Sequence, residues 1–252
     1  MIIREVDFFG DIDINPIMEQ AIIDYPIDRI SDEYQSIFYK ENPLVSILMT
    51  TYNKANVLVN YSLKSVLEQT YKNLEITVVG DNCTDNTKEL LSKIDDDRVT
   101  FINLLNHPPY PEGKARWQVA GCYNWNLGIA LLKGDFSTYL DDDDMFVPDR
   151  IEKLVKFTQE NKYDIIHHPF STEGNPLANL STRWEHGRVT TSALFTHKWF
   201  NKIPADSMCC KIDEPGDWNR CRRIKELGAN IGRHPDILVI KKLSTTQCLW
   251  DR

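Results

Sequence analysis

From Leu44 onward, short β-rich runs alternate with helical stretches, and this alternation constrains the fold more than any other feature of the sequence. "LVSILMT" (44–50) is followed by a helical pattern within 55–69 whose apolar positions are Val57, Leu58, Tyr61, Val66 and Leu67, and then by "LEITVVG" (74–80). "DNCTDNTKELLSKI" offers Asp, Asn and Thr as N-caps ahead of Leu90, Leu91 and Ile94, and "RVTFINLL" (98–105) reads as a further strand. Three prolines and a glycine make 106–116 a loop; a helix across about 117–132 then runs through a Lys133-Gly134 C-cap into strand "DFSTYL" (135–140). Strand, helix, strand, helix, strand implies a parallel sheet. With 252 residues, 42% of them hydrophobic, the chain suits one α/β domain better than two.

Residues 1–43 read as an irregular acidic N-terminal extension punctuated by Pro16, Pro26 and Pro43, with "PIMEQAIIDY" as a short helix. The expected organisation is this extension, a core domain over 44–243 (halves 44–150 and 151–243), and a C-terminal tail over 244–252. The first residues are acidic where a secretion signal needs a basic end, so a cytoplasmic chain is expected. The longest apolar run, "LVSILM", falls far short of the roughly 18 residues that span a bilayer, and any membrane association would be peripheral, at the inner face. A net charge of −8 with no Lys/Arg-rich run argues against nucleic acid as a partner. The six cysteines have no CxxC spacing, which favours reduced thiols.

The chemistry concentrates in "TYLDDDDMFVPDR" (138–150), where Asp141, Asp142, Asp143 and Asp144 follow a strand. Adjacent carboxylates repel one another unless a cation or solvent relieves them, and the carboxyl edge of a parallel sheet is where such folds bind ligands. Mg2+, Mn2+ and Ca2+ all prefer oxygen ligands. A solvated acidic turn is the competing reading. Trp184, His186, Arg188 and Trp199 mark a second stretch (179–200) that would suit stacking on a sugar, or equally a core hairpin.

The order and spacing of "VSILMTTYNKANVL" (45–58), "SVLEQTYKNLEITVVGDNCTDNT" (65–87), "NLGIALLKGDF" (126–136) and "YLDDDDMFVPDR" (139–150) resemble the family 2 glycosyltransferases of the GT-A fold, particularly bacterial enzymes that build surface polysaccharides. The resemblance implies a Rossmann-like, mostly parallel sheet flanked by helices. It also implies inverting transfer of a sugar from a nucleoside diphosphate sugar, with a UDP-sugar as the expected donor, to a carbohydrate hydroxyl, assisted by Mn2+ or Mg2+.

By that resemblance Thr50, Thr51 and Tyr52 surround the nucleobase, and Asp81 hydrogen-bonds the uracil; core packing for Tyr52 and a helix N-cap for Asp81 stay open. The DxD motif falls on Asp141, Asp142 and Asp143, with Asp142 near the ribose and Asp143 on the metal, although a register one residue along is open. Asp144 faces the sugar or caps the next helix. Asp217, in "KIDEPGDWNRCRRIKELG", is the implied general base, its ionised form favoured by a helix N-terminus, with Asp213 and Glu214 as alternatives. His234 is an additional metal ligand by the same analogy. Trp184 and His186 would line the acceptor side, and Lys114 and Arg116 would assist the leaving group or be solvated loop charges.

The chain departs from the family pattern at Thr50, where many relatives have proline, at Gly80, which replaces the first aspartate of a common pair, and at Trp125, which replaces an arginine. A nucleotidyltransferase would need a glycine-rich basic loop after the first strand, where "TTYNKANVL" has no glycine. A non-catalytic carbohydrate- or nucleotide-binding domain of a larger synthase is the other alternative.

Overall fold

The computed structural model describes residues 1–7, 10–175 and 183–242. The expected tail over 244–252, Cys248 and residues 179–182 of the aromatic stretch lie outside them.

Strands β1 (Ile2–Val6), β2 (Val45–Thr51), β3 (Leu74–Gly80), β4 (Val99–Leu104), β5 (Phe136–Asp141), β6 (Asp144–Phe146), β7 (Ile165–His167), β8 (Phe170–Thr172), β9 (Leu194–His197), β10 (Ile231–Arg233) and β11 (Val239–Lys241) form two sheets. The larger runs β1-β4-β3-β2-β5-β9-β7-β10 and the smaller β6-β11-β8. From β1 to β5 all pairings are parallel; β9 is antiparallel to both β5 and β7. β2 and β3 are buried along nearly their whole length because both faces of the sheet are covered, which accounts for their almost unbroken apolar runs.

Helices α1 (Ile14–Asp28), α2 (Asp32–Ser36), α3 (Ala55–Val57), α4 (Lys64–Leu67), α5 (Thr87–Ser92), α6 (Gly113–Val119), α7 (Cys122–Ile129), α8 (Arg150–Asn161) and α9 (Gly216–Glu226) complete the fold. α3 continues through a π turn at Leu58–Leu63 into α4, so the predicted helix over 55–69 is present with one widened turn. The expected helix over 117–132 is instead two, α6 and α7. Gly121, at φ +79°, breaks them, and α6 begins at Gly113, inside the stretch expected to be loop.

The N-terminal segment differs most from expectation. β1 extends the main sheet beside β4, and α1, α2 and the 3-10 turn at Ile37–Tyr39 send Tyr25, Tyr34, Ile37 and Phe38 into the main core. Two tyrosine hydroxyls, Tyr25 at 2.6 Å and Tyr34 at 2.7 Å, and the guanidinium Nε of Arg29 at 2.9 Å donate to the buried Asp164 carboxylate. The Asn230 amide adds a fourth donor at 2.8 Å. A carboxylate buried this deeply is tolerable only because its oxygens are satisfied in this way.

Candidate functional site

Strand register brings the predicted residues to one edge. Thr50 pairs with Asp141 on one side, Thr51 pairs with Gly80 on the other, and the Thr51 carbonyl accepts from the Asp81 amide at 2.8 Å. Thr50, Thr51, Asp81 and Asp141 therefore line the carboxyl ends of β2, β3 and β5, and Tyr52 follows directly.

Asp81 is buried. Tyr110 donates to its Oδ2 at 2.9 Å and His107 Nδ1 lies 3.2 Å from its Oδ1. Burial raises its pKa, and Tyr110, His107 and Arg116 oppose that shift. Tyr52 stands edge-on to His107 at 4.8 Å and is 39% exposed, so its ring is not core packing; the Arg116 guanidinium lies 5.1 Å from the Tyr110 ring. Tyr52, His107 and Tyr110 thus make an aromatic cup around one carboxylate. His107 and Tyr110 come from the proline-rich loop over 106–116, and nothing in the sequence analysis singled them out.

The aspartate run is a tight corner between the two sheets: Asp141 ends β5, Asp142 and Asp143 turn, and Asp144 begins β6. Two lysines divide it between them. Lys54 Nζ lies 2.9 Å from Asp142 and 2.7 Å from Asp143; Lys241 Nζ, from β11, lies 3.1 Å from Asp144 and 3.6 Å from Asp141. Neither lysine stood out in the sequence, because nothing local to 54 or 241 reports proximity to 141–144. Ser192 was missed for the same reason. Its hydroxyl donates to Asp144 at 2.7 Å and accepts from the Asp141 amide at 3.1 Å, and its carbonyl accepts from the buried Arg150 at 3.0 Å. Asp144 is therefore held by Ser192 and Lys241 and caps no helix. Burial and the charge of Asp141 push its carboxyl up to about 7, against the pull of Lys241. Asp142 is likewise raised by burial, with Lys54 opposing.

Asp217 lies in the first turn of α9. Solvent reaches its carboxylate, yet protein crowds it on several sides, and loss of hydration raises its pKa despite the hydrogen bond from the Trp218 amide at 2.7 Å. The charge of Asp141 pushes it further up, while Lys241 and His186 pull it down. The expectation that the helix N-terminus would favour the ionised form is thus outweighed by dehydration. The alternatives are committed elsewhere: Asp213 accepts from Lys114 at 2.5 Å and Gln118 at 2.7 Å, and Glu214 accepts from Arg222 at 2.9 Å and Asn219 at 2.9 Å. Lys114, read as assisting the leaving group or as a solvated loop charge, pairs with the exposed Asp213 at the surface.

His186 is exposed and stacks on Trp218 at 5.9 Å, beside Asp217. Trp184 is half-buried, its Nε1 donating to the Cys221 carbonyl at 3.3 Å and its ring edge-on to His167, so it braces α9. Trp199 belongs to the core, its Nε1 donating to Asp28 at 2.7 Å. His234 lies against Phe157 with its Nδ1 accepting from the Asp236 amide at 3.1 Å; none of its described contacts is with the aspartate run, so the predicted pairing with Asp143 is not assembled. Among the described residues no group of three or more His, Cys, Asp or Glu is arranged to hold a metal ion.

Two departures have structural partners. A Cβ at Gly80 would lie 2.5 Å from Asn103 Oδ1, because the Asn103 side chain accepts from the Cys83 amide at 2.8 Å and donates to its carbonyl at 3.1 Å. Asn103 thus ties down the loop beside the space an aspartate would need. Trp125 packs against Tyr139 with ring centroids 4.1 Å apart and the Arg220 guanidinium 5.2 Å from its ring, which makes it a packing residue.

The ordering of these strands and the carboxylates at their ends agree with the family model described as "Glycosyl transferase family 2", which matches residues 46–212. The chain belongs to that family. It is 32% identical over 120 residues to a Campylobacter jejuni GalNAc(5)-diNAcBac-PP-undecaprenol beta-1,3-glucosyltransferase, covering 47% of this chain and 35% of that one. Across the first curated relatives it matches, the chain spans between 18% and 53% of their length. Among solved structures it resembles S. aureus TarS 1-349 in complex with UDP-GlcNAc (TM-score 0.64, 17% identity, 81% of this chain and 60% of that one). It also resembles the mannosyltransferase PcManGT from Pyrobaculum calidifontis in complex with GDP-Man and Mn2+ (TM-score 0.57, 13% identity, 94% and 68%). The GT-A fold is shared with these structures, and this family 2 chain places its carboxylates at the sheet edge of that fold.

Proposed function

We infer that the cleft at the ends of β2, β3 and β5 binds a nucleoside diphosphate sugar, a UDP-sugar in the first instance, and that the protein transfers the sugar with inversion to a carbohydrate hydroxyl in glycan synthesis. The observation that carries this is the convergence, on one sheet edge, of an aromatic cup closed by Asp81, a two-carboxylate corner at Asp142 and Asp143, and Asp217 within electrostatic reach of Asp141. Tyr52, His107 and Tyr110 give a flat base something to stack on, with Thr50 and Thr51 beneath, and Asp81 can accept from its N–H.

Asp142 and Asp143 direct oxygens at a single cation, here the Lys54 ammonium, and hard oxygen donors of this number suit Mg2+ or Mn2+, which draw their remaining ligands from phosphate oxygens and water. When bound, such an ion supplies Lewis-acid stabilisation of the charge that gathers on the departing diphosphate. His234 does not join this donor set in the described contacts.

Asp217 is the proposed base that takes the acceptor hydroxyl's proton. Its raised pKa makes it a better proton acceptor than an ordinary aspartate while leaving it ionised above that pKa. His186 and Trp218 flank it as an acceptor-side stack. A cytoplasmic site of action belongs to the same reading. The complexes of the structural neighbours with UDP-GlcNAc and with GDP-Man and Mn2+ support it.

The test is transfer from radiolabelled UDP- and GDP-sugars to carbohydrate acceptors with Mn2+. The wild type is expected to release the nucleoside diphosphate and label the acceptor, and Asp217→Asn to lose about 10²- to 10⁴-fold in kcat while binding UDP unchanged. Full activity in Asp217→Asn would remove it from the base role.

A further inference from the structure

Among the described residues, Lys54 is the one cation that pairs with both carboxylates of the turn between the two sheets. Its Nζ sits 2.9 Å from Asp142 Oδ1 and 2.7 Å from Asp143 Oδ2, with a third of the side chain exposed. Its backbone is clamped. Asn53 holds a left-handed conformation at φ +49°, and its Oδ1 accepts from the amides of Thr84 at 2.8 Å and Asp85 at 3.2 Å. On the other side the Ala55 amide donates to Asp85 Oδ2 at 3.1 Å. These bonds anchor the backbone on both sides of Lys54, so its freedom lies mainly in the four-carbon stem, a third of which is exposed.

Resting on the donor-site reading above, we propose that Lys54 is a tethered counter-ion that occupies the Asp142–Asp143 cation position until a nucleoside diphosphate arrives, so that a divalent cation and the diphosphate bind synergistically. An ammonium and a divalent ion cannot both sit between the same two oxygens, because the like charges would be in near contact. A divalent ion alone must therefore displace an ammonium that is covalently held at high local concentration. A diphosphate changes both sides of that competition: it brings oxygens for the ion and a new anionic partner for the released ammonium, which a rotating lysine stem can reach from a fixed backbone.

The experiment measures Mn2+ binding from the free-ion electron paramagnetic resonance signal, for wild type, Lys54→Met and Lys54→Arg, each with and without UDP or GDP, with circular dichroism and melting curves to show that the fold is kept. Lys54→Met is expected to bind Mn2+ alone at least tenfold more tightly than wild type, and the strengthening of Mn2+ binding by UDP is expected to shrink by a similar factor. Lys54→Arg, which keeps a cation, is expected to stay near wild type. The proposal is overturned if folded Lys54→Met binds Mn2+ alone no more tightly than wild type while still binding UDP, or if wild type binds Mn2+ equally well with and without nucleotide. If neither UDP nor GDP binds any of the three proteins, the donor-site reading itself falls.

Discussion

Asn103 shows how much of this site is set by single side chains that the sequence does not advertise. Its amide occupies the space beside Gly80 and pins the Cys83 backbone, so a substitution that looks like the loss of a family aspartate is compensated from the neighbouring strand. Gly80→Ala is expected to cost about 1–3 kcal/mol in denaturant unfolding, as an overpacked site does, because Asn103 cannot yield without releasing Cys83. An unchanged midpoint would mean that Asn103 moves freely. Asp81 and Asp142 stood out as a strand end and an acidic run, whereas Asp217 was singled out through the family resemblance. Their partners Lys54, Lys241, Ser192, His107 and Tyr110 were not, because each comes from a distant segment that only the sheet order brings near.

At the level of elements, β2, β3, β4 and β5 were readable because strands buried on both faces are uniformly apolar. α1 was only partly readable. It lacks a clean apolar stripe, exposing Ile22, Ile23 and Ile27 while burying Ala21 and Tyr25. Its role, with α2, is to close the core near β9, where Tyr34 stacks on His197 at 3.7 Å and Phe38 packs against the same ring. Burial pushes His197 down to about 3 and His167 down to about 4.

Because both folded values lie below the ordinary histidine value near 6.5, the unfolded chain binds protons first, and the stability these groups contribute is present above about pH 6.5 and lost as pH falls toward the folded values. Each is expected to cost about 2–3 kcal/mol by about pH 4.5. Asp144, raised to about 7, acts in the opposite sense, its contribution being lost as pH rises, so the wild-type curve is a sum of opposing slopes. The difference between His197→Phe and wild type isolates the histidine. Denaturant titrations from about pH 7 to about pH 4.5 should show the variant gaining on wild type by about 2–3 kcal/mol, and a constant difference would contradict the assignment.

For the whole molecule, the balance of charge is the organising fact. The chain carries a net charge of −8, and six carboxylates, Asp81, Asp141 to Asp144 and Asp217, lie at or near the carboxyl edge of the main sheet, with Lys54 and Lys241 paired to Asp141 to Asp144. An anionic diphosphate entering such a cleft needs added positive charge, so removal of divalent ions with EDTA should weaken UDP binding while leaving the melting temperature of the free protein nearly unchanged. A large fall in melting temperature would instead point to a structural ion. The parallel architecture and the order of strands at its carboxyl edge were legible from the order of segments. The smaller sheet that carries Lys241 to the aspartates was not, since β6, β8 and β11 have three residues each and no turn signal links them.

The central claim, that the aromatic cup around Asp81 receives the nucleotide, is tested most directly by calorimetric titration of UDP into wild type and Tyr52→Ala in the presence of Mn2+. Tyr52 is exposed enough that its removal should spare the fold. A loss of affinity of about tenfold or more in the variant, as expected for removing one base-stacking aromatic, is the predicted result. Equal binding by the two proteins would contradict it.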